Sequence, residues 1–264
     1  MSEQPHISDY LNFGLLIAGC AGEIMRDYFK RGNISSTYKE DETIVTIADK
    51  EINNMLIERV CAVFPTHAVD GEEASYGKSD YVWVCDPIDG TSMFAHHIPI
   101  AVFSLALVRD GEPIVGIIYD PFNNDMYYAT KGSGAYKNST KINVNFCDID
   151  DMQTVGHCDM FSTNAYDIIE KFHKNYPKTR LCDMGSIAHS CICVASGEFT
   201  FSIFCAQGHK NCDIAAAKII VEEAGGIVRS LHGKEQRYDT DIDGAIIANK
   251  VVFNKLVELI NSDN

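Results

Sequence analysis

The sequence predicts an α/β fold of the α+β type, and three patterns carry that expectation. From Asp9 to Lys30, and again from Asp49 to Val63, apolar residues recur at helical spacing. From Ile100 to Val144 strand-like runs alternate with turns, as in an antiparallel meander. After Asp148 helical and strand patterns alternate once more. The change near residue 148 predicts a single domain over 1–264 built from two fused lobes, 1–148 and 149–264. No repeat, low-complexity tract or Pro/Ser-rich linker divides the chain.

In chain order, Leu11, Leu15, Ala18, Met25 and Phe29 give an amphipathic helix from Asp9 to Lys30, closed by Gly32 and Asn33. The polar stretch Ser35 to Glu42 reads as an exposed loop. Thr43 to Asp49 is a short extended piece, with Asp49 placed to cap a second helix that runs to Val63. Ile52, Leu56, Val60 and Val63 form its buried side, and Pro65 ends it. Strands follow at Ile100–Val108, Ile114–Tyr119 and Met126–Ala129, punctuated by Asp110-Gly111, Pro121 to Asn124, and Gly132 to Gly134. Beyond Asp148 come a strand near Thr154, a helix from Ala165 to Tyr176 and a helix from Ser186 to Ala195. A strand at Phe199–Phe204, a helix from Asp213 to Ala224 and strands at Ile227 and Ala245–Ala248 complete the order. Asn249 is placed to cap a closing helix through Ile260.

The chemistry centres on Tyr81 to Ser92. Tyr81 to Cys85 reads as a strand that ends at Asp86, and Pro87 keeps that residue extended. Asp89 follows, and Gly90-Thr91-Ser92 opens a helix whose first amides lack partners. Carboxylates hold Mg²⁺, while free amides and the helix dipole hold an anion. A cation and a phosphate side by side make a phosphoryl-transfer site. Asp49, Glu72 and Asp213 also stand at ends of elements, flanked by small residues that let a ligand approach, and are candidates for the same cleft.

Composition bounds the partners. The chain has 264 residues, 46% of them hydrophobic, and a net charge of −15. That balance fits a folded protein and argues against nucleic acid, which needs clustered Lys and Arg. An anionic substrate would be repelled unless divalent cations neutralise the site. The N-terminus is polar and the longest apolar run, Gly14 to Gly22, is far short of a membrane span, so a cytoplasmic protein without membrane contact is expected. None of the ten cysteines forms a Cys-x-x-Cys pair, and they read as reduced, mostly buried thiols. Cys205, His209 and Cys212 are a remote candidate for zinc.

Gly71-Glu72-Glu73, Asp86-Pro-Ile-Asp89-Gly-Thr91 and Asp213-Ile-Ala-Ala-Ala with Glu223-Ala-Gly-Gly226 resemble the signature blocks of the inositol monophosphatase family. The similarity runs from about Thr43 to Gly226. The resemblance implies a layered αβαβα sandwich of the sugar-phosphatase type, with a mostly antiparallel N-terminal sheet and a mixed C-terminal one. It also implies a Mg²⁺-dependent, lithium-sensitive phosphomonoesterase with two to three ions per site, commonly a homodimer. By the same resemblance Glu72, Asp86 and the Ile88 carbonyl would hold one ion, with Asp86 bridging to a second held by Asp89 and Asp213. Glu72 would share a third. Asp49 and Thr91 would orient and deprotonate the attacking water, and Gly90, Thr91 and Ser92 would cradle the phosphate. Asp159 and Ser186 fall in segments that line the family's substrate side.

The sequence departs from the family between Phe199 and Cys212, which holds no carboxylate where the family places a substrate-binding Glu. Cys212 replaces the usual Trp, and His209 or Lys210 is the expected substrate contact instead. His96-His97 is expected to pack within its loop, Glu73 to point away from the metals, and Trp83 to sit in the core. The expected reaction is hydrolysis of a small phosphorylated polyol or sugar, inositol 1-phosphate first. Fructose 1,6-bisphosphate, histidinol phosphate and 3′-phosphoadenosine 5′-phosphate are the rival substrates. A non-catalytic regulatory or binding member of the family is the rival of a different class.

Overall fold

A computed structural model of the chain describes residues 5–32, 34, 36–38, 44–152, 154–160, 163–207 and 211–262. It opens with α1 (Ile7–Lys30), whose buried stripe is Tyr10, Gly14, Ile17, Ala18, Ala21, Gly22 and Met25. Residues of the expected loop at 35–42 form a strand, β1 (Ser36–Tyr38), paired antiparallel with β2 (Ile44–Thr46). β-Branched residues in both segments favour that pairing. In α2 (Ile47–Val63) the cap is Thr46, and Asp49 is its reciprocal partner one turn in. Ile52, Leu56 and Val60 are buried as expected, but Val63 is 54% exposed and Phe64 makes the core contact there.

Next come β3 (Ala68–Gly71), β4 (Ser75–Tyr76), β5 (Tyr81–Asp89), the short α3 (Thr91–Ala95) and β6 (Val102–Arg109). The meander continues with β7 (Glu112–Asp120), β8 (Asp125–Thr130), β9 (Ala135–Lys137) and β10 (Thr140–Lys141). The described residues arrange these strands in the order β10-β9-β8-β7-β6-β5-β3-β4, antiparallel except for the β3–β5 pair. Asp110 and Gly111, both at positive φ, make the tight turn between β6 and β7.

The rest of the chain supplies β11 (Val155–Cys158), α4 (Thr163–Asn175), β12 (Arg180–Cys182), α5 (Ile187–Ala195) and β13 (Phe201–Gln207). Then follow α6 (Asn211–Glu223), β14 (Ile227–Arg229), β15 (Asp243–Ala248) and α7 (Phe253–Asn261). The second sheet is mixed, ordered β12-β11-β13-β15-β14. Asn249 does not cap α7 directly: its Oδ1 accepts from Val251 and Val252, closing the turn before the helix.

Three apolar clusters stack these pieces into the expected αβαβα layers. Trp83, Cys85, Ile88, Leu105 and Leu107 face α1 and α2. Val84, Val102, Ala106 and Val108 face the other way, onto α5 and α6, which also meet Phe204, Ala245 and Ile247 of the second sheet. Ile203, Cys205 and Ile246 then pack outward on α4 and α7. The small residues of α6 serve this central layer. A Cβ on Gly116 of β7 would lie 2.6 Å from Ala216 O, so helix and sheet touch backbone to backbone. No described helix is long and apolar enough to cross a membrane. All ten thiols are free; five are buried and Cys20 is exposed.

Candidate active site

β5 does not stop at Asp86; it runs on to Asp89 through a bulge. Asp86 pairs with Ser104 and Asp89 with Val102, so three steps on β5 match two on β6. In a regular strand, residues three apart point to opposite faces. One inserted residue cancels that alternation and puts both carboxylates on the face that meets α5 and α6. Ile88, between them, is buried on the α1–α2 side, and its amide donates to Asp86 Oδ1 at 2.9 Å.

Asp213 reaches the same place from the first turn of α6. Ser104 Oγ donates to Cys212 O at 3.3 Å, and Asn211 Nδ2 donates to Asp70 Oδ2 at 3.0 Å and Tyr238 O at 3.1 Å. These contacts tie the start of α6 to β6 and β3. Carboxylate oxygens of Asp86, Asp89 and Asp213 all lie within 4.8 Å of one another, and all three residues are buried. The Cys212 thiol donates to Asp213 Oδ1 at 3.3 Å.

Asp49 is fully buried beside this group. Its Oδ2 accepts from the amide of Thr46 at 2.8 Å and from the Thr46 hydroxyl. Thr91 Oγ1 lies 3.4 Å from Asp49 Oδ1 and donates to Ile88 O at 2.9 Å. Glu72 follows β3, with its amide on Cys85 O, and stands beside the group of three without joining it. Gly90, at φ 93, makes the turn from β5 into α3. A Cβ there would lie 2.7 Å from Ile100 O and 3.0 Å from Ser186 Cβ.

Burial and like charge together push these acids up. Burial raises Asp86 well above the usual carboxylate range, reinforced by Glu72, Asp89, Asp213 and Asp49. Asp89 rises to about 8 through burial and Asp213, although the hydroxyl of Ser186 and the amide of Ala188 favour its charged form. Asp49 rises to about 7 through burial, opposed by its Thr46 hydrogen bonds and reinforced by Glu72 and Glu73. Glu73, expected to face away, is therefore close enough for its charge to act on Asp49. Crowded carboxylates of this kind stay charged only when a cation sits among them. The donors are all hard oxygens, a set that fits Mg²⁺ better than zinc.

The other expected site residues fall as follows. Ser186 is the N-cap of α5 and donates to Asp89 Oδ1, while Ala188 N donates to Asp89 Oδ2 at 3.2 Å. Asp159 is buried just past β11, with its amide on Ile203 O, outside the group of three. Ser92 is half-buried in α3; His97 packs on the Phe29 ring at 5.2 Å, and Trp83 is wholly buried. His209 and Lys210 lie outside the described residues, and with them the zinc candidate's histidine; Cys205 and Cys212 are both buried.

Three supports lie outside the expected site residues. The Thr46-Ile-Ala-Asp49 spacing is a capping-box pattern. The Asn211–Asp70 link spans the chain and left no local signal. Glu223 accepts from Gly132 N and Gly134 N, both at 2.6 Å, so it fastens the β8–β9 turn to the end of α6.

Comparison with known proteins adds the following. The pattern of the inositol monophosphatase family matches residues 8–263. A Thermotoga maritima fructose-1,6-bisphosphatase/inositol-1-monophosphatase is 31% identical over 96% of both chains. A histidinol-phosphatase of Chlorobaculum parvum is 30% identical, again over 96% of each. A Nus factor SuhB of Pasteurella multocida is 32% identical over 84% of this chain and 85% of its own.

Proposed function

The chain belongs to the inositol monophosphatase family, whose members are phosphomonoester hydrolases, and from that premise we propose that it hydrolyses a small phosphorylated polyol or sugar with Mg²⁺, inositol 1-phosphate foremost. The observation that carries the reading is the convergence of Asp86, Asp89 and Asp213 from two distant parts of the chain. These three, with Glu72 and the Ile88 carbonyl, would hold two to three Mg²⁺ ions. When bound, Mg²⁺ neutralises phosphate oxygens and lowers the pKa of water.

The chain's own residues do the rest. Thr91 Oγ1, between Ile88 O and Asp49 Oδ1, is set to accept a proton from the attacking water while passing its own to Asp49. Asp49 Oδ1, 3.4 Å from Thr91 Oγ1, is placed to take that proton when its carboxylate is charged. Gly90, Thr91 and Ser92 offer amides and hydroxyls to the phosphate at the bend into α3. The segment after residue 148 completes the site through Asp213 and through Ser186. Lithium inhibition, a cytoplasmic location and a homodimer belong to the same reading.

The named activities of the relatives differ, so the substrate is the open choice within this reaction. A panel of inositol 1-phosphate, fructose 1,6-bisphosphate, histidinol phosphate and 3′-phosphoadenosine 5′-phosphate, run with Mg²⁺ or EDTA and with or without Li⁺, decides it. Fastest Mg²⁺-dependent, Li⁺-inhibited release from inositol 1-phosphate is expected. The SuhB relative favours a binding role as a second reading. Negligible release from every compound would overturn the catalytic reading in its favour.

A further inference from the structure

His157 occupies the middle of β11 with no solvent exposure. Its Nδ1 lies 3.1 Å from Ser202 Oγ of β13, and that hydroxyl lies 2.8 Å from Ser190 Oγ of α5. Ser190 Oγ in turn donates to Ile187 O at 2.7 Å. In the other direction, His157 Nε2 faces Asp183 Oδ1 at 3.4 Å and makes no ordinary hydrogen bond. Asp183 accepts from Gly185 N at 2.8 Å and Met160 N at 3.3 Å.

Both directions therefore end on one segment, the Asp183–Ser186 loop and the first turn of α5. That segment grips Asp89 through Ser186 Oγ and Ala188 N. It also presses on the phosphate-side turn, since a Cβ on Gly90 would meet Gly185 O at 3.2 Å. A buried imidazole costs free energy that an apolar side chain of similar size would not, unless hydrogen bonds offset it, and here Nε2 has only the 3.4 Å approach of Asp183.

We propose that His157 is a positioning residue, which by bridging Asp183 and Ser202 fixes the start of α5 and so holds Asp89 in the orientation that binds the cation. It touches neither cation nor substrate. The inference rests on reading Asp89 as a metal ligand. Asp183 behaves as the anionic partner this requires: burial pushes its carboxyl up, but His157 and the Gly185 and Met160 amides outweigh that and leave it below its ordinary value.

The test uses full-length His157→Phe, His157→Gln, Asp183→Asn and the His157→Phe/Asp183→Asn double variant. Mg²⁺ affinity is measured by calorimetry without substrate, together with melting temperature and phosphate release. Loss of a group hydrogen-bonded directly to a metal ligand weakens metal binding about 10- to 100-fold, and loss of His157 or Asp183, one contact further out, should weaken it by about tenfold, the lower end of that range. That loss is expected for His157→Phe and for Asp183→Asn, with the double variant no weaker than the worse single one. His157→Gln, which keeps a polar end, should recover part of it, and KM at saturating Mg²⁺ should barely move. Folded variants that bind Mg²⁺ like the wild type would overturn the proposal alone. If His157→Phe does not fold, the near-isosteric Asp183→Asn and His157→Gln still decide. A wild type that binds no Mg²⁺ would overturn the site reading and this inference together.

Discussion

Asp89 accepts from Ser186 and Ala188 while standing among the oxygens of Asp86 and Asp213, so it is tied to α5 and repelled by its neighbours at once. That tension makes a specific prediction for Asp213→Asn. Removing one charge relieves the repulsion, so the metal-free melting temperature should rise. The Mg²⁺-induced shift should shrink toward zero, and phosphate release should fall by at least about a hundredfold, as expected when a metal-ion contribution to the transition state is lost. Thermal unfolding with EDTA and with Mg²⁺ checks it; an unaltered Mg²⁺ shift would place the cation elsewhere. Gly90 gives a second prediction. Its φ of 93 and the 2.7 Å approach to Ile100 O leave no room for a methyl group. Gly90→Ala should cost roughly 1–3 kcal/mol by denaturant unfolding, the usual cost of a strained backbone position. At this scale the carboxylates were legible because acidic residues at element ends with small residues nearby form a recognisable pattern. Thr46 and Asp49 both offer a capping side chain, so the sequence does not say which is the cap, and the bond from Ser186 to Asp89 joins residues 97 apart with no local signal.

The elements explain why these residues meet. β5 was legible as a strand from its aromatic and β-branched residues, but its length was not, since Asp-Pro-Ile-Asp carries no alternation. The bulge that turns Asp86 and Asp89 to one face is a property of pairing with β6 and cannot be seen in β5 alone. Short strands suffered most: β1 lay inside a polar stretch, and β12, three residues long, offered no pattern at all. Glu223 illustrates support at this level. It holds two amides of the β8–β9 turn from the far end of the helix that begins near Asp213. Glu223→Ala leaves the exposed Gly132 amide and the half-buried Gly134 amide to bond with water, and should cost about 0.5–1.5 kcal/mol, the usual net worth of a hydrogen bond. Turnover per folded molecule should be kept, because the other end of α6 is anchored separately through Asn211 and Ser104. Denaturant midpoints and kcat, measured together, separate the two effects.

For the whole molecule the governing fact is excess negative charge, −15 overall, with part of it buried at the junction of the layers. The order of the longer helices and strands was readable from periodicity, and the layering followed from the family resemblance. Which helices fill the central layer was not readable, because it depends on contacts such as Gly116 against Ala216 that join distant segments. The buried acids give the metal-free fold a pH dependence whose sign is fixed. Asp49 and Asp89 bind protons more tightly when folded, at about 7 and about 8, than at the ordinary 3.8. The stability tied to those protons is complete below pH 4 and is lost as pH rises through 7 and 8. Without metal, melting temperature should therefore fall between pH 5 and pH 8.5, and Mg²⁺ should restore more of it at the higher pH; equal profiles with EDTA and Mg²⁺ would contradict this. The most direct measurement is a crystal grown with Mn²⁺ in place of Mg²⁺ and examined for anomalous scattering. The account predicts a peak coordinated by Asp86, Asp89 and Asp213, with Glu72 adjoining; an enzyme that releases phosphate while its crystal shows no ion between those carboxylates would contradict it.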